Sequence, residues 1–112
     1  MLEVDVQPRL EAEFKAFVDE TSAAAHANEP GTLNYEWSRN AAGVGCHIFE
    51  RYADSTAVMV HLGTFREKFA ARFREIVKPV RLVVYGSPNE EVKTALAGFS
   101  PVYMQSVGGF SR

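Results

Sequence analysis

The chain has a single cysteine, Cys46, so no disulfide can form within it. A lone thiol fits a reducing compartment, and the sequence is read as cytoplasmic. The opening residues lack the basic start and long apolar core of a secretory leader. No apolar run approaches the roughly 20 residues that span a bilayer, so no membrane association is expected. An excess of one charge is also missing: 12 Lys and Arg stand against 14 Asp and Glu, scattered along the chain, for a formal charge of −2. That balance leaves no basic footprint for nucleic acid or anionic lipid. His26, His47 and His61 show no ligand spacing and have no second cysteine to join, so no metal is expected. Nucleophile elbow, phosphate loop and dinucleotide fingerprint are all absent.

Aromatic residues, by contrast, are plentiful. Eight Phe, four Tyr and one Trp among 112 residues are enough for one core, with rings left over for a pocket or a subunit interface. Leu2, Val4 and Val6 alternate with polar residues and predict a short first strand. Pro8 can open a helix whose apolar face, Leu10, Phe14, Phe17, Val18, Thr21 and Ala25, runs from about residue 9 to 27. Asn28 to Gly31 should end it, since Glu29 precedes a proline and Gly31 can take a positive φ.

Leu33, Tyr35 and Trp37 alternate as a second strand. After the small-residue turn Asn40 to Gly45, a third strand from about Cys46 to Tyr52 places Cys46, Ile48 and Glu50 on one face and His47, Phe49 and Arg51 on the other. Asp54 is an N-cap for a helix to about Val77, with His61, Phe65, Phe69 and Phe73 on one stripe and a kink expected at Gly63-Thr64. Pro79 should close that segment ahead of a strand carrying Val80, Leu82 and Val84 up to Gly86. Ser87-Pro88-Asn89-Glu90 has capping-box spacing for a short helix from about 88 to 97, and a last strand is placed within 102–107. The order is β-α-β-β-α-β with an appended α-β, the split βαβ plan: an α+β domain whose antiparallel sheet has helices on one face. The other face must be solvated or covered by a partner, and a two-fold homodimer packing sheet against sheet would cover it.

Three pieces of sequence then resemble a known family. Glu29-Pro30-Gly31-Thr32-Leu33-Asn34-Tyr35-Glu36, Ile48-Phe49-Glu50-Arg51-Tyr52-Ala53-Asp54, and His61 seven residues beyond that aspartate are similar to the pattern of antibiotic biosynthesis monooxygenase (ABM) domains. The resemblance implies a dimeric α/β barrel with the ferredoxin-like core at residues 2–86 and a C-terminal arm at 87–112, the whole 1–112 being one domain. It also implies oxidation of an electron-rich aromatic molecule by O2 with no cofactor, metal or flavin. Haem-degrading relatives use a histidine late in the second helix, and none follows His61 here. Such chemistry needs a base, a group that holds an oxyanion and an apolar cavity.

His61 is the candidate base or proton shuttle, because a neutral imidazole can take a phenolic proton near neutral pH. Glu50 is placed as its orienter or as the base acting alone, and Tyr35, Trp37 and Phe65 as substrate walls. Plainer roles stand beside each: a helix histidine bonded to the backbone or to Glu50, a strand carboxylate paired with a tyrosine or arginine, and rings that fill core. Asn34 points away from Tyr35 in a regular strand. Cys46 reads as a small buried hydrophobe. The expected function is cofactor-independent monooxygenation of a quinol-like or polycyclic phenolic small molecule. A non-oxidative isomerase or lyase on the same fold, or a non-catalytic small-molecule-binding module, is the alternative.

Overall fold

A computed structural model describes residues 1–112. The alternating Leu2, Val4 and Val6 form β1 (Leu2–Val6), and a single 3-10 turn at Pro8–Leu10 leads into α1 (Glu11–Asn28). Strands β2 (Thr32–Arg39) and β3 (Gly45–Tyr52) follow as a hairpin. Then come α2 (Ser55–Lys68), α3 (Ala70–Ile76), β4 (Val77–Tyr85), α4 (Glu90–Leu96) and β5 (Val102–Met104). The sheet order is β2-β3-β1-β4-β5, antiparallel throughout except for β5, which runs parallel to β4. The first four strands thus have the ferredoxin-like arrangement, and the arm adds a fifth at the edge.

One face of this sheet is dry. Val4, Val6, Cys46 and Ile48 point into a core filled by Phe14 and Phe17 of α1, Phe69, and Phe73 and Ile76 of α3. Phe17 meets Trp37, Phe69 and Phe73 at ring-centroid distances of 6.0 to 6.2 Å, so α1 and the second helical segment are held to the sheet through one ring. On the opposite face, Glu3 lies between His47 and Arg81 and Phe49 is 44% exposed. Asn34 also faces this way. It pairs with Arg51, whose Nε donates to Asn34 Oδ1 at 2.7 Å.

Several boundaries differ from the sequence reading. The second helix does not kink at Gly63-Thr64; it breaks at Phe69, whose φ of −125° leaves the helical range so that its ring can enter the core. Pro79 does not close a helix but lies inside β4, at a register shift against β1 where a missing N–H is tolerated. The last helix starts at Glu90, with Asn89 rather than Ser87 as its cap: Asn89 Oδ1 accepts from Val92 N–H at 3.0 Å. The final strand is only Val102–Met104.

Candidate active site

Asp54 caps α2 by accepting from Ala57 N–H at 2.8 Å, which fixes the helix phase and turns His61 inward. His61 is 6% exposed, and its Nδ1 lies 2.7 Å from Oε1 of Glu29, itself 4% exposed. The carboxylate is held from behind by Thr32, whose hydroxyl donates to the same oxygen at 2.8 Å. A carboxylate only accepts, so with Glu29 ionised Nδ1 is the donor of this pair and Nε2 points elsewhere. No hydrogen bond within the chain engages Nε2. Glu29 therefore does for His61 what the sequence reading assigned to Glu50.

The Glu29-Pro30-Gly31 turn is bound tightly to the start of α2. Gly31 C=O accepts from Ala53 N–H at 2.9 Å, and a Cβ added at Gly31 would meet Ala57 Cβ at 2.6 Å. Glycine is needed here for that close approach. It is not needed for backbone handedness, since the glycines with positive φ are Gly43, Gly86 and Gly109.

Aromatic rings surround the imidazole. Tyr35 lies 5.2 Å from it, Tyr52 5.6 Å and Phe65 6.3 Å, centroid to centroid. Trp37 stands one step further away, 5.8 Å from Tyr35, packed edge-on against Phe14 and Phe17. Its Nε1 is buried without a hydrogen-bond partner. Trp37 is a core ring in this arrangement, whereas Tyr35 and Phe65 enclose His61.

Glu50 sits opposite Tyr35 across the β2–β3 hairpin and turns to a different partner. Tyr52 donates its hydroxyl to Glu50 Oε2 at 2.8 Å. Burial and then the adjacent Glu50 charge push the Tyr52 phenol well above the usual range, and the same two causes in the same order raise Tyr35. Both hydroxyls are thus kept as donors. Cys46 is buried in the core, and burial raises its thiol, so it is no nucleophile.

Glu50 and Tyr52 line a cleft of about 630 Å³, within the range of small-molecule sites. The cleft opens where β3 and β4 run on past β1 and is walled by Val58 and Leu62 of α2 and Val92 and Leu96 of α4. His61, Tyr35, Trp37 and Phe65 are not among its lining residues. The five residues singled out in the sequence therefore fall into two neighbouring groups, a ring-enclosed His61–Glu29 pair and a cleft carrying Glu50. Tyr52 belongs to both. Glu29 and Tyr52 are the members that sequence reasoning missed. Both lay within the quoted motifs, but nothing in a linear pattern says that residues 29 and 61 meet.

No group of three or more His, Cys, Asp or Glu side chains converges as a metal site, and no helix is long and apolar enough to cross a membrane. Among solved structures, the chain is similar to MupZ from Pseudomonas fluorescens, at 26% identity and a TM-score of 0.86, over 99% of this chain and 90% of that one. It is also similar to a candidate antibiotic biosynthesis monooxygenase from Caulobacter crescentus, at 30% identity and a TM-score of 0.57, over 70% of this chain and 83% of that one. No curated protein sequence matches it. The family model for antibiotic biosynthesis monooxygenase matches residues 1–65, a span that contains Glu29, Glu50, Tyr52 and His61. Together these likenesses support a general monooxygenase-like role. By that match over more than half its length, the chain belongs to the antibiotic biosynthesis monooxygenase family.

Proposed function

We propose that the protein is a monooxygenase that oxidises a quinol-like or polycyclic phenolic small molecule with O2, drawing the electrons from the substrate and using no cofactor. The observation that carries this reading is Glu50: a carboxylate at the wall of a largely apolar cleft, one oxygen fixed by Tyr52 and the other bonded to nothing in the chain. Glu50 accepts the phenolic proton of a bound substrate, and the Tyr52 hydroxyl keeps the carboxylate aimed at it. Tyr52 links this carboxylate to His61, whose Nδ1 is paired with Glu29 and which serves as the supporting proton shuttle. Tyr35 and Phe65 hold the imidazole, while Trp37 supports Tyr35.

The chemistry balances without a further reductant. Deprotonation makes the ring carbon para to the oxygen electron-rich. That carbon bonds to O2, and proton return gives a hydroperoxide. Loss of the remaining proton on this carbon breaks the O–O bond and expels water. The phenolic O–H, the C–H para to it and O2 thereby become two C=O groups and H2O.

In this reading the protein is a cytoplasmic homodimer in which a second copy covers the open sheet face. A second reading, a non-oxidative isomerase or lyase, is favoured by the same free Glu50 oxygen, since proton transfer alone requires no oxidant. Oxygen uptake by chelator-treated protein with naphthoquinols and anthrones separates the two. The oxygenase reading expects protein-dependent uptake that falls by roughly 10²-fold or more in Glu50→Gln and strongly in His61→Ala. Turnover that persists without oxygen, or no uptake across the panel, overturns it.

A further inference from the structure

The lining of the cleft is mixed in chemistry and in origin. Glu50 offers an unbonded carboxylate oxygen from within the family-matched part of the chain. Pro88, Val92 and Leu96 add an apolar wall contributed by residues beyond that part. This wall is fixed in place. Val92 is 1% exposed and roots α4 in the protein, and Asn89 N–H donates to Ser55 Oγ at 3.0 Å, tying the start of α4 to the first residue of α2. Leu96, one helical turn after Val92, is only partly buried and lines the cleft.

We propose that α4 sets the size of the ligand, with Leu96 as the specificity-determining residue. The ligand is an apolar molecule with a hydroxyl at one end only: the hydroxyl donates to Glu50, and the far edge of its body stops against Leu96. Truncating Leu96 lengthens the space, and enlarging it shortens the space, while the polar end stays unchanged. This inference rests on reading the cleft as the substrate site but is independent of whether oxygen is used.

Titration calorimetry with 2-naphthol, 9-phenanthrol and 2-methoxynaphthalene tests it on the wild type, Leu96→Ala and Leu96→Trp, with thermal melts to show that each form is folded. The ratio of 9-phenanthrol to 2-naphthol affinity should rise about tenfold in Leu96→Ala and fall by a similar factor in Leu96→Trp, the usual scale for adding or removing a few carbons' worth of pocket. In all three proteins 2-methoxynaphthalene, which has no proton to donate, should bind about tenfold or more weakly than 2-naphthol. A ratio that moves by less than about twofold in both variants overturns the proposal, as does equal binding of the methoxy compound or no binding of 2-naphthol to wild type. The expected binding pattern without oxygen uptake would sink the oxygenase reading alone. Uptake with an unchanged ratio would sink only the role of Leu96.

Discussion

Glu29 and His61 stand 32 positions apart in the chain, and the buried contact between them organises the interior beside the cleft. Tyr35 and Tyr52 flank it with phenols held neutral by burial and by Glu50. That has a consequence at alkaline pH. An unfolded tyrosine ionises near pH 10, whereas these two, raised above that value, stay protonated in the fold. Their contribution to stability is therefore complete below about pH 10 and is lost as pH rises, because only the unfolded chain gains by releasing the protons. The loss reaches about 1.4 kcal/mol per pH unit for each residue. Absorbance at 295 nm should show both phenols ionising only as the protein unfolds; ionisation near pH 10 in a still-folded protein would contradict the burial described. At this scale the sequence was readable for residue type but not for pairing. Glu29 lies just before β2 and Glu50 within β3, and both belong to quoted motifs. Choosing His61's partner needed the depth of the Glu29 turn, which depends on how closely two backbones approach.

That approach belongs to the scale of elements. The turn before β2 and the first turn of α2 touch through Gly31 and Ala57 with no room for a methyl group. Gly31→Ala should cost about 1–3 kcal/mol, as overpacking does elsewhere, and Gly31→Ala with Ala57→Gly should recover part of the loss despite the weaker helix propensity of glycine. Chemical denaturation of the two variants measures both. A Gly31→Ala protein as stable as wild type would remove the contact from the account. Alternation and helical spacing were enough to find the first four strands and α1, because each has a wetter and a drier side, whereas α2 and α3 were read as one helix and β5 is exposed throughout. The helix break was misplaced for a physical reason: Gly63 has the sequence signature of a weak point but open space around it, while Phe69 breaks the helix by turning into the core, a tertiary demand with no local signal.

For the molecule as a whole, the contrast between the two sheet faces is the main unresolved demand. Helices seal one face, while the other presents Phe49 amid Glu3, His47 and Arg81. In the homodimer proposed above this face is the contact. Multi-angle light scattering should then give twice the chain mass for wild type and a lower mass for Phe49→Lys, which sets a charge into the contact. An unchanged mass in the variant would place the interface elsewhere. The ferredoxin-like plan was legible from element order alone, and the family from three short motifs. The cleft was not, because its walls come from β3, α2, β4 and α4, which only folding brings around one space.

The chain's single indole lends itself to one more use. Trp37 is half-buried among Phe14, Phe17 and Tyr35 with its Nε1 shielded from solvent, so its surroundings change once the fold opens. Its emission is therefore a built-in gauge, blue while the aromatic interior is closed and red once water enters. Through Tyr35 the gauge is one ring away from His61. A single fluorophore thus follows, without any label, both the unfolding of the domain and any loosening of the enclosure around its buried acid–base pair.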